Sequence, residues 1–376
     1  MGERMEKIKI LFFIHDLGHG GAEKVLVNLV NNMHTDIFDI TVMALFGGGV
    51  NEQFLKPHVK YKTVFKKSFP GNSQVMKLFS PKTLHNLFIK EKYDIEVSYL
   101  EGPSARIISG CPNKEVKKAC WIHTQVMSKD VSLRAFRGFD EAMKCYESFD
   151  KIACVSQNVI EVFLENYPVN NHVQTVFNTN ESENIIELSK EAIDNEDFLN
   201  NDIKIIGVGS LGHNKGFQRV IPIIRRLRKE GLNVRFFILG EGSMKKELED
   251  LTEKEKIKDY VTFLGYQTNP YKYVAKCDLF VCSSYAEGFS TAATEALIVS
   301  TPVCTTNVSG MKEMLGEKNE WGVIVENTDE ALYKGIKELV SDSELLKQYK
   351  IKASKRGKFF STEETVKSTE EFLLSL

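Results

Sequence analysis

The chain has no apolar run approaching the roughly 18 residues that a membrane-crossing helix needs. Its start, Met-Gly-Glu-Arg-Met-Glu-Lys, leads straight into a strand-like run from Ile8 to Ile14, too short and wrongly flanked for a signal peptide. C-x-x-C spacing is absent. The seven cysteines, an odd number, read as reduced thiols of a cytosolic protein. Cys120 lies three residues before His123, but two candidate ligands do not make a metal site. No D-x-D carboxylate pair occurs anywhere, and short internal repeats and low-complexity tracts are missing too. What remains is an ordinary globular composition: 42% hydrophobic, 27% charged and a net charge of −2. With 376 residues the chain is too long for one core and predicts two domains of roughly 150–200 residues.

Strand-like and helix-like stretches alternate almost throughout, which points to doubly wound parallel sheets. In the first half, strands are expected at Lys9–Ile14, Asp39–Leu45, Asp94–Tyr99, Lys118–Ile122 and Lys151–Val155. A helix from near Ala22 carries Val25, Leu26, Leu29 and Val30 on one face. Residues 179–202 are polar and acidic without strong periodicity, and the domain boundary is placed there. A second series follows at Lys204–Val208, Val234–Leu239, Val261–Phe263, Asp278–Cys282, Pro302–Thr305 and Gly322–Val325. The fold class expected is α/β: two tandem Rossmann-like domains facing each other across a cleft.

The most informative stretch is Glu287-Gly288-Phe289-Ser290-Thr291-Ala-Ala-Thr-Glu295, two carboxylates astride a turn from a buried strand into an apolar helix. Ligands of α/β sheets bind at such strand ends. Ser290 and Thr291 are expected as helix caps, with unpaired amides nearby that suit an anion. Glu295 is expected about two turns inside the helix. Three Gly-rich turns accompany this one. Asp16-Leu-Gly-His-Gly20-Gly21-Ala-Glu-Lys24 follows the first strand. Gly207-Val-Gly209-Ser210-Leu-Gly212-His-Asn-Lys215-Gly216 is a literal G-x-G-x-x-G, and Gly240-Glu241-Gly-Ser243 follows the next strand. Taken alone, the fingerprint at Gly207, Gly209 and Gly212 suits a dinucleotide, with Glu241 as ribose acceptor. Against that, residues 213–216 interrupt the turn where a dinucleotide fold is already helical, and Lys215 adds a fixed cation suited to a diphosphate. Phe12, Phe13, Phe236 and Phe237 sit in strands and read as core.

Together these residues resemble the retaining glycosyltransferases of family 4, which have the GT-B fold, in a form used for bacterial polysaccharide synthesis. The resemblance spans nearly the whole chain. Its most specific part is the E-x7-E pattern at Glu287 and Glu295. Gly-Gly-Ala-Glu-Lys24, the loop through Lys215-Gly216, Trp121-Ile-His123, Ala153-Cys-Val-Ser-Gln157 and Val176-Phe-Asn178 support it. The resemblance implies an acceptor domain over residues 1–180, a donor domain over 200–358, and a helix over 359–376 that packs back on the first domain. It implies a nucleotide-sugar donor, most simply a UDP-sugar, and no cofactor or metal.

Carried over by position, Lys215 neutralises the diphosphate, Glu295 binds the ribose, and Glu287 binds the transferred sugar. The amides of Phe289, Ser290 and Thr291 face phosphate and sugar, Gly20 and Gly21 close over the diphosphate, and His123 lies near sugar and acceptor. Gly240 and Glu241 are placed near base or ribose. The chain departs from the family at Ser210, where an Arg is usual, which leaves more of the phosphate charge to Lys215. The chemistry is consistent: a breaking sugar–phosphate bond puts negative charge on the leaving diphosphate, and a cation with amides can meet it without a protein nucleophile. Retention is implied, the departing phosphate taking the acceptor's proton on the same face. A two-carboxylate glycosidase is the rival use of Glu287 and Glu295. A nucleotide-sugar epimerase of the same fold, an NAD-dependent oxidoreductase and a catalytically silent interaction domain are the alternative functions.

Charge suggests a further partner. Residues 56–92 hold nine lysines and one acid, Glu91, interleaved with Phe65, Phe69, Met76, Leu78 and Phe79. Each lysine near an anionic leaflet contributes about 1 kcal/mol, so a handful suffices for reversible docking. The expectation is a cytoplasmic enzyme at the inner face of the cell membrane with a glycan or lipid-linked acceptor. Nucleic acid is not an expected partner, because no recognised module accompanies the charge.

Overall fold

The computed structural model describes residues 6–124, 133–198 and 200–376. They form two compact units: one runs to Asn180 and takes in Thr362–Leu376, the other is Glu181–Ser361.

The first unit is built on a parallel sheet of β1 (Ile8–Ile14), β2 (Phe38–Phe46), β3 (Lys60–Phe65), β4 (Ile95–Ser98), β5 (Lys117–Ile122), β6 (Lys151–Cys154) and β7 (His172–Thr175). Its spatial order is β3-β2-β1-β4-β5-β6-β7. Ile10 to Ile14 are wholly buried because central β1 is covered on both faces, as its unbroken apolar run requires. The helix Gly21–Asn32 lays Val25, Leu26, Leu29 and Val30 into the same core. Strands β3 and β7 are the two edges, mostly half-exposed and polar, and neither stands out in the sequence.

The second unit has β8 (Ile203–Val208), β9 (Val234–Leu239), β10 (Val261–Gly265), β11 (Leu279–Cys282), β12 (Val303–Thr306) and β13 (Val323–Val325), in the parallel order β10-β9-β8-β11-β12-β13. Its core is separate, centred on Ile205, Val220, Ile224, Phe236, Leu279 and Ile336. Both sheets share one wiring. The chain builds outward on one side of the first strand, then crosses back to start the other side. This leaves a switch point between β1 and β4 in one unit and between β8 and β11 in the other.

Residues 179–202, read as a polar boundary, are more structured than their composition suggests. They contain the helix Ser182–Ser189, whose Leu188 carbonyl accepts from Asn269 at 2.9 Å. Asp197 accepts from Arg235 at 2.9 Å and from the Thr262 hydroxyl at 2.8 Å. The acids there tie the connection to the second sheet. At the other end, Phe359 closes the helix Ser343–Phe359 of the second unit, and the last helix is Thr362–Leu374. Its Val366, Phe372 and Leu373 join the first unit's core, Phe372 edge-on to Trp121 at 5.0 Å.

Candidate active site

In the second unit, loops following β8, β9 and β11 meet at the carboxyl ends of these adjacent strands. Leu211 N–H donates to the Glu241 carbonyl at 2.9 Å, and Gly209 N–H to Leu239 at 3.0 Å, so the turns holding Ser210 and Gly240–Glu241 lie back to back. Gly240 has φ of +140°, and a Cβ there would stand 1.9 Å from the Gly209 carbonyl oxygen; only glycine permits that approach. After Gly212 the chain makes a short 3-10 turn, His213–Lys215, then Gly216 at φ +69°, and only then the helix Phe217–Lys229. The dinucleotide fingerprint therefore does not open directly into a helix, as the interrupting residues predict.

That detour places Lys215 against the loop after β11. Ser283 Oγ donates to the Lys215 carbonyl at 2.9 Å, and Tyr285 N–H to Asn214 at 2.8 Å. Lys215 Nζ and Glu287 Oε1 pair at 2.6 Å, and the Ser284 hydroxyl donates to the same oxygen at 2.7 Å. Two candidates 72 residues apart are thus one ion pair, with the lysine side chain 30% and the glutamate 12% exposed. Gly288 and Phe289 lead into the helix Thr291–Ile298. Ser290 is its cap, its Oγ accepting from Ala293 N–H at 3.3 Å, and Thr291 is its first residue rather than a cap. Phe289 turns its ring inward, 6.0 Å from Phe360. Glu295 lies just over one turn into the helix, not two. It is buried, and its carboxylate accepts from the Tyr271 hydroxyl at 3.3 Å. Glu241 is exposed and pairs with Lys245 at 3.0 Å; Ser210 is exposed at the rim.

Arg219 is a site residue the sequence reading missed. Its side chain is 2% exposed, and it binds the Ser283 carbonyl at 3.2 Å, Asn327 Oδ1 at 2.7 Å and Asp329 Oδ1 at 2.6 Å. Its guanidinium also lies 4.6 Å from the Tyr285 ring, which stacks on His213 at 5.2 Å. Arg219 thus locks the loops that carry Lys215 and Glu287. An arginine beside Val220 and Ile221, one turn after Lys215, is the signal in the sequence that marks it.

In the first unit, Gly20 is the N-cap position and Gly21 the first residue of its helix. His123 follows β5. Its backbone N–H donates to Glu101 at 3.0 Å, and its Nε2 is buried with no hydrogen-bond partner among the described residues. Burial drives the imidazole pKa down to about 3, against a hydrogen bond to the Tyr99 carbonyl. At neutral pH His123 is therefore uncharged, a hydrogen-bond acceptor and not an acid. Beside it lies an open cavity of about 240 Å³, lined among others by Glu101, Thr124, Arg134, Tyr146 and Phe163. Glu101 follows β4 directly, so the strand-end rule applied to Glu-Gly-Pro103 marks it.

The basic segment divides. Lys56 is bound to Asn31 and Asn32, Lys60 to Asp39, and Lys62 to Glu91. Phe65 and Phe69 pack with Phe46 and Phe88, and Met76 is buried. Val75, Leu78 and Phe79 remain exposed, Leu78 at 76%. Buried Arg106 holds this knuckle by the carbonyls of Met76 at 3.0 Å and Phe79 at 2.7 Å, and pairs doubly with Glu141 at 3.0 Å.

Residues 189–356 match the family model of glycosyl transferases group 1. A Campylobacter jejuni relative is 28% identical over 98% of this chain and 100% of its own length. It is the N-acetylgalactosamine-N,N'-diacetylbacillosaminyl-diphospho-undecaprenol 4-alpha-N-acetylgalactosaminyltransferase. The capsular polysaccharide biosynthesis glycosyltransferase CapM of Staphylococcus aureus is 28% identical over 44% of this chain and 45% of its own. Among solved structures, Anabaena HepE in complex with UDP superimposes with a TM-score of 0.77 at 17% identity, covering 98% of this chain and all of that one. The second unit thus carries the group 1 pattern, and the whole chain has the GT-B fold.

Proposed function

We propose that this chain, a GT-B glycosyltransferase of bacterial surface-glycan synthesis, moves a hexose-type sugar from a UDP-sugar to a lipid-linked acceptor with retention at the anomeric carbon. The Lys215–Glu287 pair at 2.6 Å, beside the Ser290-capped helix, carries this reading. A diphosphate entering there meets a cation held by Glu287 and the start of a helix, whose amides point toward an anion. In the reaction the bond from the anomeric carbon to the diphosphate breaks and one to the acceptor oxygen forms. The acceptor's proton goes to the departing phosphate. Lys215 and the amides stabilise the charge that develops, so the step is proposed to need no divalent ion. As diphosphate draws Lys215 away, Glu287 becomes free to accept from sugar hydroxyls. Neutral His123 accepts a hydroxyl proton in a hydrogen bond without taking the charge.

The acceptor is assigned to the first unit, in the cavity that holds Arg134 and Glu101 among aromatic walls, chemistry suited to a glycan carried on a polyprenyl diphosphate. The Campylobacter relative is named for such a carrier. The knuckle of Val75, Leu78 and Phe79, with Lys77 and Lys82 beside it in sequence, is the proposed contact with the anionic leaflet. Two measurements test the function. Thermal shifts with UDP, GDP, ADP and NAD identify the nucleotide, since a ligand bound only by the folded state raises the melting temperature. UDP is expected to stabilise, and stabilisation by NAD alone would overturn the reading. Mass spectrometry with a panel of UDP-sugars and lipid-linked acceptors then reads transfer, with EDTA expected to leave it unchanged.

A further inference from the structure

A second cluster of chemically able side chains lies in the first unit, near the amino-terminal end of β4. His85 on the helix Pro81–Phe88, Glu96 on β4 and Cys111, after the helix Pro103–Ile108, come from three separate elements. Their ligand atoms all lie within 4.8 Å of one another. His85 and Glu96 are buried, at 5% and 2% exposed, and Cys111 is half-buried, the only one of the seven free cysteines that is not fully buried. His85 Nε2 meets Glu96 Oε2 at 2.8 Å. Nδ1 is then left buried with the Cys111 thiol as its one neighbour able to hydrogen-bond among the described residues. A buried histidine whose one nitrogen is oriented by a carboxylate, and whose other nitrogen faces a thiol, is the arrangement that metal-ligating histidines show.

We propose that His85, Glu96 and Cys111, whose ligand atoms lie within 4.8 Å of one another, together bind a thiophilic divalent cation, Zn²⁺ on the chemistry of the donors, with water completing its coordination. Mixed nitrogen and sulfur ligands select zinc over the oxygen-seeking magnesium and calcium. Binding makes the thiol give up its proton, so the site exchanges a thiol contact at His85 Nδ1 for a metal bond. Cys111 is the accessible edge through which the ion enters. The site joins the helix Pro81–Phe88 to β4 and to the turn at Cys111, so its role is to brace that helix, independent of sugar transfer. Glu96 lies toward the start of β4, whereas Glu101 and the cavity lie beyond its carboxyl end.

The test is direct. The full chain, dialysed with Zn²⁺ and then freed of excess, is expected to retain the metal stoichiometrically by elemental analysis. Substituting Co²⁺ should give a thiolate-to-metal charge-transfer band in the near ultraviolet. Cys111→Ser, at a half-exposed position that leaves packing intact, should abolish the band and weaken Zn²⁺ binding at least about tenfold, and Glu96→Gln should weaken it about 10- to 100-fold. Melting curves without metal establish that both variants fold. No retained zinc in the parent chain, or equal binding and an unchanged band in Cys111→Ser, would overturn the site.

Discussion

Replacing Lys215 by alanine separates what the Lys215–Glu287 pair does for the fold from what it does for the reaction. The ion pair is short, 2.6 Å, and Glu287 keeps the Ser284 hydroxyl at 2.7 Å when the lysine is gone. Breaking a fully buried pair costs about 3–5 kcal/mol because one charge is stranded. Here Lys215 is 30% exposed, so water partly rescues the carboxylate and the expected loss is about 1–2 kcal/mol. Glu287→Gln in the same chain removes the stranded charge and should recover most of that stability. Turnover should behave differently. Removing one group aimed at developing charge costs about 10²–10³ in rate, or about 2.7–4 kcal/mol. The double variant has lost the same cation, so it should stay as slow as Lys215→Ala. Urea titrations measure the first quantity and donor consumption by mass spectrometry the second. If the double variant regained turnover along with stability, or Lys215→Ala turned over near the parent rate, the assignment of Lys215 to the leaving group would fall.

Gly216→Ala should destabilise by more than about 2 kcal/mol in urea titrations, because φ is +69° and the new Cβ would meet the Ser283 carbonyl oxygen, a backbone atom, at 2.1 Å. Leu78→Asp, at an exposed side chain, should leave the melting temperature unchanged and end co-sedimentation with anionic liposomes; full retention on the liposomes would rule out the knuckle as the contact. The last helix should loosen as pH rises. His34 Nδ1–H donates to Glu370 Oε2 at 2.7 Å, and that hydrogen bond and charge raise its pKa above the ordinary value of about 6.5. A raised folded pKa means the stabilisation is complete below about pH 6.5 and is lost as pH passes through the folded value. Protection of the amides across Thr362–Leu374 should therefore fall as pH rises from about 6.5 through the raised folded value, and His34→Ala should abolish that dependence.

Most of the sheet was legible because buried central strands leave an unmistakable apolar run. Every central strand appears within a residue or two of its expected limits, whereas Lys60–Phe65 and His172–Thr175 were missed. Those edges face partners on one side only, so they alternate weakly and carry lysine, histidine and threonine. The same exposure made Lys60 and Lys62 look like free surface charge, although Asp39 on the neighbouring strand and Glu91 in the loop before β4 hold them. Site legibility followed a similar rule. Lys215 and Glu287 could be singled out because both follow strands; their contact could not, since 72 residues separate them. Arg219 was missed because a cation on an amphipathic helix looks solvated until the fold buries it. His123 was identified but not its charge, which depends on a ring packed 4.9 Å from Tyr99.

The two switch points explain why these residues collect where they do. At such a point neighbouring loops turn to opposite sides of the sheet and leave a crevice that no helix fills. Both units have one, yet they are furnished differently. In the second, Lys215 follows β8 and Glu287 follows β11, the strands on either side of the break, and Arg219 locks their loops. In the first, the corresponding strands are β1 and β4, followed by the glycine turn of residues 16–24 and by Glu101, which lines an aromatic-walled cavity. A charged crevice suits the diphosphate, whose negative charge grows as the sugar departs. In the function proposed above, the aromatic-walled cavity beside uncharged His123 takes the glycan, whose hydroxyl must stay protonated until the diphosphate leaves. On that proposal, one wiring used twice separates the charge-stabilising half of the chemistry from the half that positions the nucleophile.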